Sequence, residues 1–147
     1  MSYWSWDSSL SVGIDVIDGQ HRRIVDYLND LDEAHRNQDR DKVSEVLHAL
    51  VDYTITHLAF EEQLMEKAGY PLTEPHQRVH QAFVERINRY REQHQAGKEV
   101  TRKLMSDLKL WLGNHIRNDD KHYAPYVMKS LAKQQSWMGK ALKRLFG

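Results

Sequence analysis

Two pairs of side chains in the middle of the sequence have the chemistry and the spacing of metal ligands. His57 with Glu61 and His76 with His80 are each four residues apart, a spacing that in a helix stacks both donors on one face. His57 and Glu61 alone also suit an ordinary hydrogen bond. Two stacked imidazoles are more telling, because they repel when protonated and gain most from sharing a cation. The chain has nine histidines and no cysteine. That removes disulfides, thiolate ligands and cysteine nucleophiles, and leaves any metal to imidazole and carboxylate.

Holding such groups inside a core takes helices, and the apolar periodicity supplies four. From about Gly19 to Arg36, His21, Ile24, Val25, Leu28, Leu31 and His35 recur at threes and fours, with Asp18 as the expected N-cap. A second helix, from about Lys42 to Lys67, follows a polar turn in which Asp39 or Asp41 serves as cap. Gly69 and Pro71 end it, and Thr73 is expected to cap a third, whose inward stripe reads His76, Val79, His80, Phe83, Ile87, Tyr90 and His94. The fourth runs from about Thr101 to Asp119, with Leu104, Leu108, Trp111, Leu112, His115 and Ile116 inward. The expectation is an all-α, antiparallel up-down four-helix bundle with an extended N-terminal arm and a short C-terminal helical tail. Residues 1–130 form the bundle and arm; residues 131–147 form a basic amphipathic tail. In that tail Trp137, Met138, Ala141, Leu142, Leu145 and Phe146 oppose Lys133, Lys140, Lys143 and Arg144. Such a face suits either a fifth helix packed on the bundle or a segment, 133–146, that meets a membrane surface or a protein partner.

Every inward stripe is interrupted by polar groups: His21 on the first helix, His57 and Glu61 on the second, His76 and His80 on the third, and His115 with Asp120 on the fourth. Burying five imidazoles and two carboxylates without a shared cation would leave several unpaired polar groups. One detail resists. His115 and Asp120 are five residues apart and would point about 140° away from each other on a regular helix. Either the helix unwinds at its end or it contains a wider π-type turn. His35, His48, His94 and His122 read as structural.

Composition narrows the functions. Lys plus Arg and Asp plus Glu both number 21, so no global field favours nucleic acid. The start of the chain lacks a basic stretch followed by an apolar run, and no segment reads as a membrane span, so a cytoplasmic location is expected. A monomer is also expected.

These residues resemble the hemerythrin family, in particular its single-domain bacterial branch, the bacteriohemerythrins. The resemblance rests on Trp6, Ser11-Val-Gly-Ile-Asp15, Ile17-Asp-x-Gln-His21, His57-x-x-x-Glu61, Gly69-Tyr-Pro71, His76-x-x-x-His80 and Trp111-Leu-x-x-His115-Ile-x-x-x-Asp120. It implies two iron ions (Fe2+/Fe3+) with a bridging oxo or hydroxo group. His76, His80 and His115 would bind one iron, His21 and His57 the other, and Glu61 and Asp120 would bridge them. The iron with two histidines would keep an open position for dioxygen, giving reversible oxygen binding for storage, delivery or sensing rather than catalysis. The alternative is a di-iron enzyme acting on peroxide or nitric oxide, or an iron buffer. Neutral imidazoles outnumber carboxylates here, whereas catalytic di-iron bundles use four glutamates and two histidines, and that difference favours a carrier. Ile24, Leu58, Trp111, Leu112 and Ile116 are the expected walls of the oxygen pocket.

Overall fold

The computed structural model describes residues 2–132 and 135–146, without the side chains of 135–139. Four long elements form the bundle: α1 (Asp15–Arg36), α2 (Arg40–Lys67), α3 (Thr73–Gln95) and α4 (Thr101–His115). α4 passes through a π turn, Ile116–Asp120, directly into α5 (Lys121–Leu131), and α6 (Gln135–Phe146) follows. α1 packs on α2 and α4, and α3 packs on the same two, so the four helices close a ring in chain order. Short connections make neighbours antiparallel, as the polar turns predict.

The helix ends follow local chemistry, with two departures from expectation. Asp39 caps α2, its carboxylate accepting from the Lys42 N–H at 3.1 Å. Gly69 ends the same helix at φ +67°, a left-handed conformation that costs glycine least. Thr73, by contrast, is the first residue of α3 and not its cap: its hydroxyl donates to the Tyr70 carbonyl at 2.6 Å. Asp18 is likewise inside α1, which starts at Asp15. Its buried carboxylate accepts from the Val12 N–H at 2.8 Å and the Ser11 hydroxyl at 2.6 Å. It therefore anchors the arm to the helix, satisfying arm donors that would otherwise be buried without partners.

The arm is not extended throughout, since Ser8–Leu10 makes one 3-10 turn capped by Asp7. Trp4 is clamped by Asn29, which accepts from its N–H at 2.9 Å and donates to its carbonyl at 2.8 Å. The Trp4 ring lies over Gly113 of α4, where an added Cβ would stand 3.8 Å from it. The buried apolar side chains of the arm and of α1, α2, α3, α4 and α5 form one continuous core. The α3 contribution is narrow: His76, His80, Phe83 and Ile87 are buried, whereas Val79, expected inward, is 43% exposed. At three residues from His76 it falls on the flank of a stripe only one residue wide.

α6 packs on α2. The Phe146 ring lies 5.4 Å from Tyr53 and 5.5 Å from Phe60, and Ala141 is buried, while Lys140, Lys143 and Arg144 are exposed. The described apolar residues of the tail thus face the bundle; Lys133, Trp137 and Met138 lie outside the described residues and side chains. Among the described residues, no helix is long and apolar enough to cross a membrane.

Candidate metal centre

All seven polar residues that interrupt the helix stripes converge in the core, and none is more than 7% exposed. They form two groups, each gathering its ligand atoms within 4.8 Å: His76, His80, His115 and Asp120, and beside them His21, His57 and Glu61. α3 supplies its two histidines from adjacent turns, α2 supplies His57 and Glu61 the same way, and α1 contributes His21. The π turn after α4 resolves the five-residue interval. The Lys121 N–H reaches the Ile116 carbonyl five residues back, and the widened turn brings Asp120 onto the same face as His115.

In the three-histidine group the His115 Nε2 lies 3.0 Å from the His76 Nε2 and 2.9 Å from the His80 Nε2. Asp120 Oδ1 is 3.1 Å from the His115 Nε2 and 3.3 Å from the His76 Nε2, while its Oδ2 turns to the His21 Nε2 at 3.4 Å. One carboxylate therefore faces both groups. Glu61 does the same: its Oε1 is 3.2 Å from the His57 Nε2 and 3.8 Å from the His80 Nε2, and its Oε2 is 3.8 Å from the His21 Nε2.

Whether a metal pair fits is tested by what these atoms lack. The Nε2 atoms of His21 and His57, Glu61 Oε1 and both Asp120 oxygens are buried with no hydrogen-bond partner among the described residues. They stand close together in the two groups, where a shared cation would supply the missing partner. Ligand atoms bound at about 2.1 Å and at right angles are separated by roughly 3.0 Å, the spacing found from His115 to each of the other two imidazoles. Nitrogen and oxygen donors without thiolate suit iron. The donor set fits.

A second layer holds these donors. Gln20 Oε1 accepts from the His57 Nδ1–H at 2.6 Å, and Asp119 Oδ2 from the His115 Nδ1–H at 2.8 Å. Each bond fixes the tautomer that leaves Nε2 free for a cation. The Glu62 carboxylate is 3.8 Å from the His80 Nδ1, and the buried Tyr123 hydroxyl donates to Glu61 Oε2. Sequence reasoning missed all four. Asp119 was legible as a carboxylate four residues after His115, and Gln20 as the neighbour of His21, but nothing marked Tyr123.

Electrostatics agree with a buried, cation-seeking site. Burial pushes His80 down to about 3, keeping it neutral, with the neighbouring imidazoles adding to the effect against Glu61. Burial also pulls on His115, yet the Asp120 carboxylate, with Glu61 and Asp119, outweighs it and raises that group to about 9, so a proton on its ring balances the carboxylates until a bound cation displaces it. Burial and the charges of Glu61 and Asp120 hold the Tyr123 phenol well above its ordinary value, so it stays a proton donor.

Of the expected pocket residues, Ile24, Leu58, Leu112 and Ile116 are all buried in the core. Trp111 differs. It is half-buried and stacks on His115 at 4.4 Å and on Phe83 at 3.8 Å, on the three-histidine side. The histidines read as structural stay outside the cluster: His94 bonds Ser44 at 2.8 Å, and His122 bonds the Tyr70 hydroxyl at 2.7 Å.

Comparison with known proteins points the same way. The family described as "Hemerythrin HHE cation binding domain" matches residues 12–127. A bacteriohemerythrin of Stenotrophomonas maltophilia is 47% identical over the whole of both chains, and one of Pseudomonas aeruginosa is 43% identical over the same extent. A wild-type hemerythrin crystal structure superposes with a TM-score of 0.81 at 29% identity, covering 86% of this chain and 98% of that one. The chain belongs to the hemerythrin family, whose cofactor is a non-haem di-iron centre.

Proposed function

We propose that this protein binds dioxygen reversibly at a di-iron centre and acts as a non-catalytic carrier, store or sensor of oxygen. In this reading His76, His80 and His115 hold one iron, His21 and His57 hold the other, and Glu61 and Asp120 link them. The observation that carries it is the inequality of the two groups: three converging imidazoles on one side and two on the other, with both carboxylates facing each. Bound iron supplies the redox capacity to take up dioxygen and return it.

The chain's own contribution is to place donors and keep water out. Gln20 and Asp119 set the tautomers of His57 and His115, and Tyr123 holds Glu61 in one orientation while keeping its own proton. Ile24, Leu58, Leu112 and Ile116 are the proposed apolar wall, which limits the access of water and protons that would promote loss of the reduced state. Trp111 shields the three-histidine side. An enzyme reducing peroxide or nitric oxide, or an iron buffer, is the competing reading.

Metal analysis of protein from its native source, with visible spectra of the reduced protein through repeated addition and removal of oxygen, tests the proposal. Two irons per chain and a recoverable spectrum are expected. Steady oxidation without recovery would overturn the carrier reading, and a different metal would overturn the site.

A further inference from the structure

At the end of the bundle away from the metal centre, the α1–α2 and α3–α4 connections and the adjoining helix ends line a solvent-open cavity of about 920 Å³. Ser44 in its wall and His57 in the metal centre are thirteen residues apart on α2, or about 20 Å. The cavity is therefore separate from the iron chemistry. Its volume is in the range of small-molecule sites.

The wall is strongly basic in a chain of zero net charge. Arg36, Arg40, Lys98 and Arg102 line it, against Glu99 alone among acidic residues. Arg36 is engaged by Asp32 at 3.0 Å. The side chains of Arg40, Lys98 and Arg102 have no ion-pair or hydrogen-bond partner among the described residues. Three cations without ion-pair partners among the described residues, one at the start of α2, one in the α3–α4 connection and one at the start of α4, thus line one concavity. Two helix N-termini and two C-termini meet at this end, so their dipoles offset and the field comes from the side chains. Guanidinium forks pair with phosphate in two-point geometry, and lysine adds a mobile point charge.

Glu99 shapes the choice of ligand. Its Oε1 accepts from the Thr101 N–H at 3.0 Å, which fixes the carboxylate in the wall, where it would repel a bare anion but accept from a hydroxyl or amine. Ser44 and His94, joined at 2.8 Å, add polar surface beside it. We propose that this cavity binds a phosphorylated small molecule of nucleotide size, its phosphates held by Arg40, Lys98 and Arg102 and a hydroxyl or amine donor by Glu99.

The test is calorimetric titration of the iron-loaded full chain with ATP, and separately with inorganic phosphate, at physiological ionic strength so that diffuse surface attraction is screened. Saturable binding of one ATP per chain is expected, with phosphate about tenfold weaker or more. The Arg40→Ala/Arg102→Ala variant should weaken ATP binding by about tenfold or more, while an Arg78→Ala/Arg89→Ala control leaves it unchanged. Circular dichroism and the iron spectrum verify that each variant is folded. Backbone amide shifts in the unsubstituted protein give an independent readout, expected to cluster at Gly97, Lys98 and Thr101. No saturable ATP binding at millimolar concentration, equal affinity for phosphate, an equal loss in the control, or shifts centred elsewhere would each overturn the proposal.

Discussion

The two halves of the metal centre are built from the same ligand types but on different scaffolds. His76, His80, His115 and Asp120 come from two helices, and a half-buried aromatic stack of Trp111 on Phe83 covers His115. His21, His57 and Glu61 come from the other two, without such a stack among the described residues, and are oriented by Gln20 and Tyr123 from inside the core. One side is crowded by imidazole; the other has one imidazole fewer and its donors are wholly buried. The difference teaches that asymmetry at a paired site needs no change of chemistry. A change in how many donors each helix pair contributes is enough.

Removing a ligand breaks the comparison most directly. His57→Ala should leave its side with one imidazole and reduce bound iron from two to about one per chain, read by elemental analysis. Full retention of two irons would show that His57 is not a ligand. Leu112→Ala comes next. The deleted side chain is fully buried, so a loss of about 2–5 kcal/mol in denaturant unfolding is expected, together with a shorter lifetime of the oxygenated protein; an unchanged autoxidation rate would exclude Leu112 from the wall.

Smaller effects sharpen the contrast. Gln20→Ala and Asp119→Ala each remove one orienting bond, and each should weaken iron binding by about 10–100-fold, the first on the two-histidine side and the second on the three-histidine side. Chelator competition followed by site-resolved spectroscopy reads which iron leaves first, and the same order in both variants would argue against separate scaffolds. Tyr123→Phe keeps the ring and deletes the donor to Glu61. A loss of about 1–2 kcal/mol is expected, with a spectral shift at the iron pair; an unaltered spectrum would mean that the bond does not orient Glu61. Asp39→Ala, at the other end of α2, serves as the control. It should cost about 1 kcal/mol in thermal unfolding and leave iron content and spectrum untouched.

Much of the fold was legible because amphipathic periodicity records which face of each helix is buried. The four helices, Asp39 as a cap and the stop at Gly69 follow from local rules. Asp18, Thr73 and Val79 did not, because their roles depend on what packs against them: Asp18 bonds the returning arm, Thr73 is used by the preceding turn, and Val79 falls beside a narrow stripe. The seven donors were legible for the same reason as the core, since polar groups at apolar positions are visible against the pattern. Tyr123 was not, because a tyrosine on a buried face looks like packing until its hydroxyl is seen to reach Glu61 from another helix.

The sequence by itself determined the donor set, its helical spacing and the absence of thiolate, because those are properties of residue type and local period. Only the tertiary structure decided how His115 and Asp120 share one face, which carboxylate oxygen turns to which histidine, and that Arg40, Lys98 and Arg102 meet at one cavity. Those outcomes depend on the π turn and on the relative placement of helices distant in sequence, and packing sets them where no local pattern can.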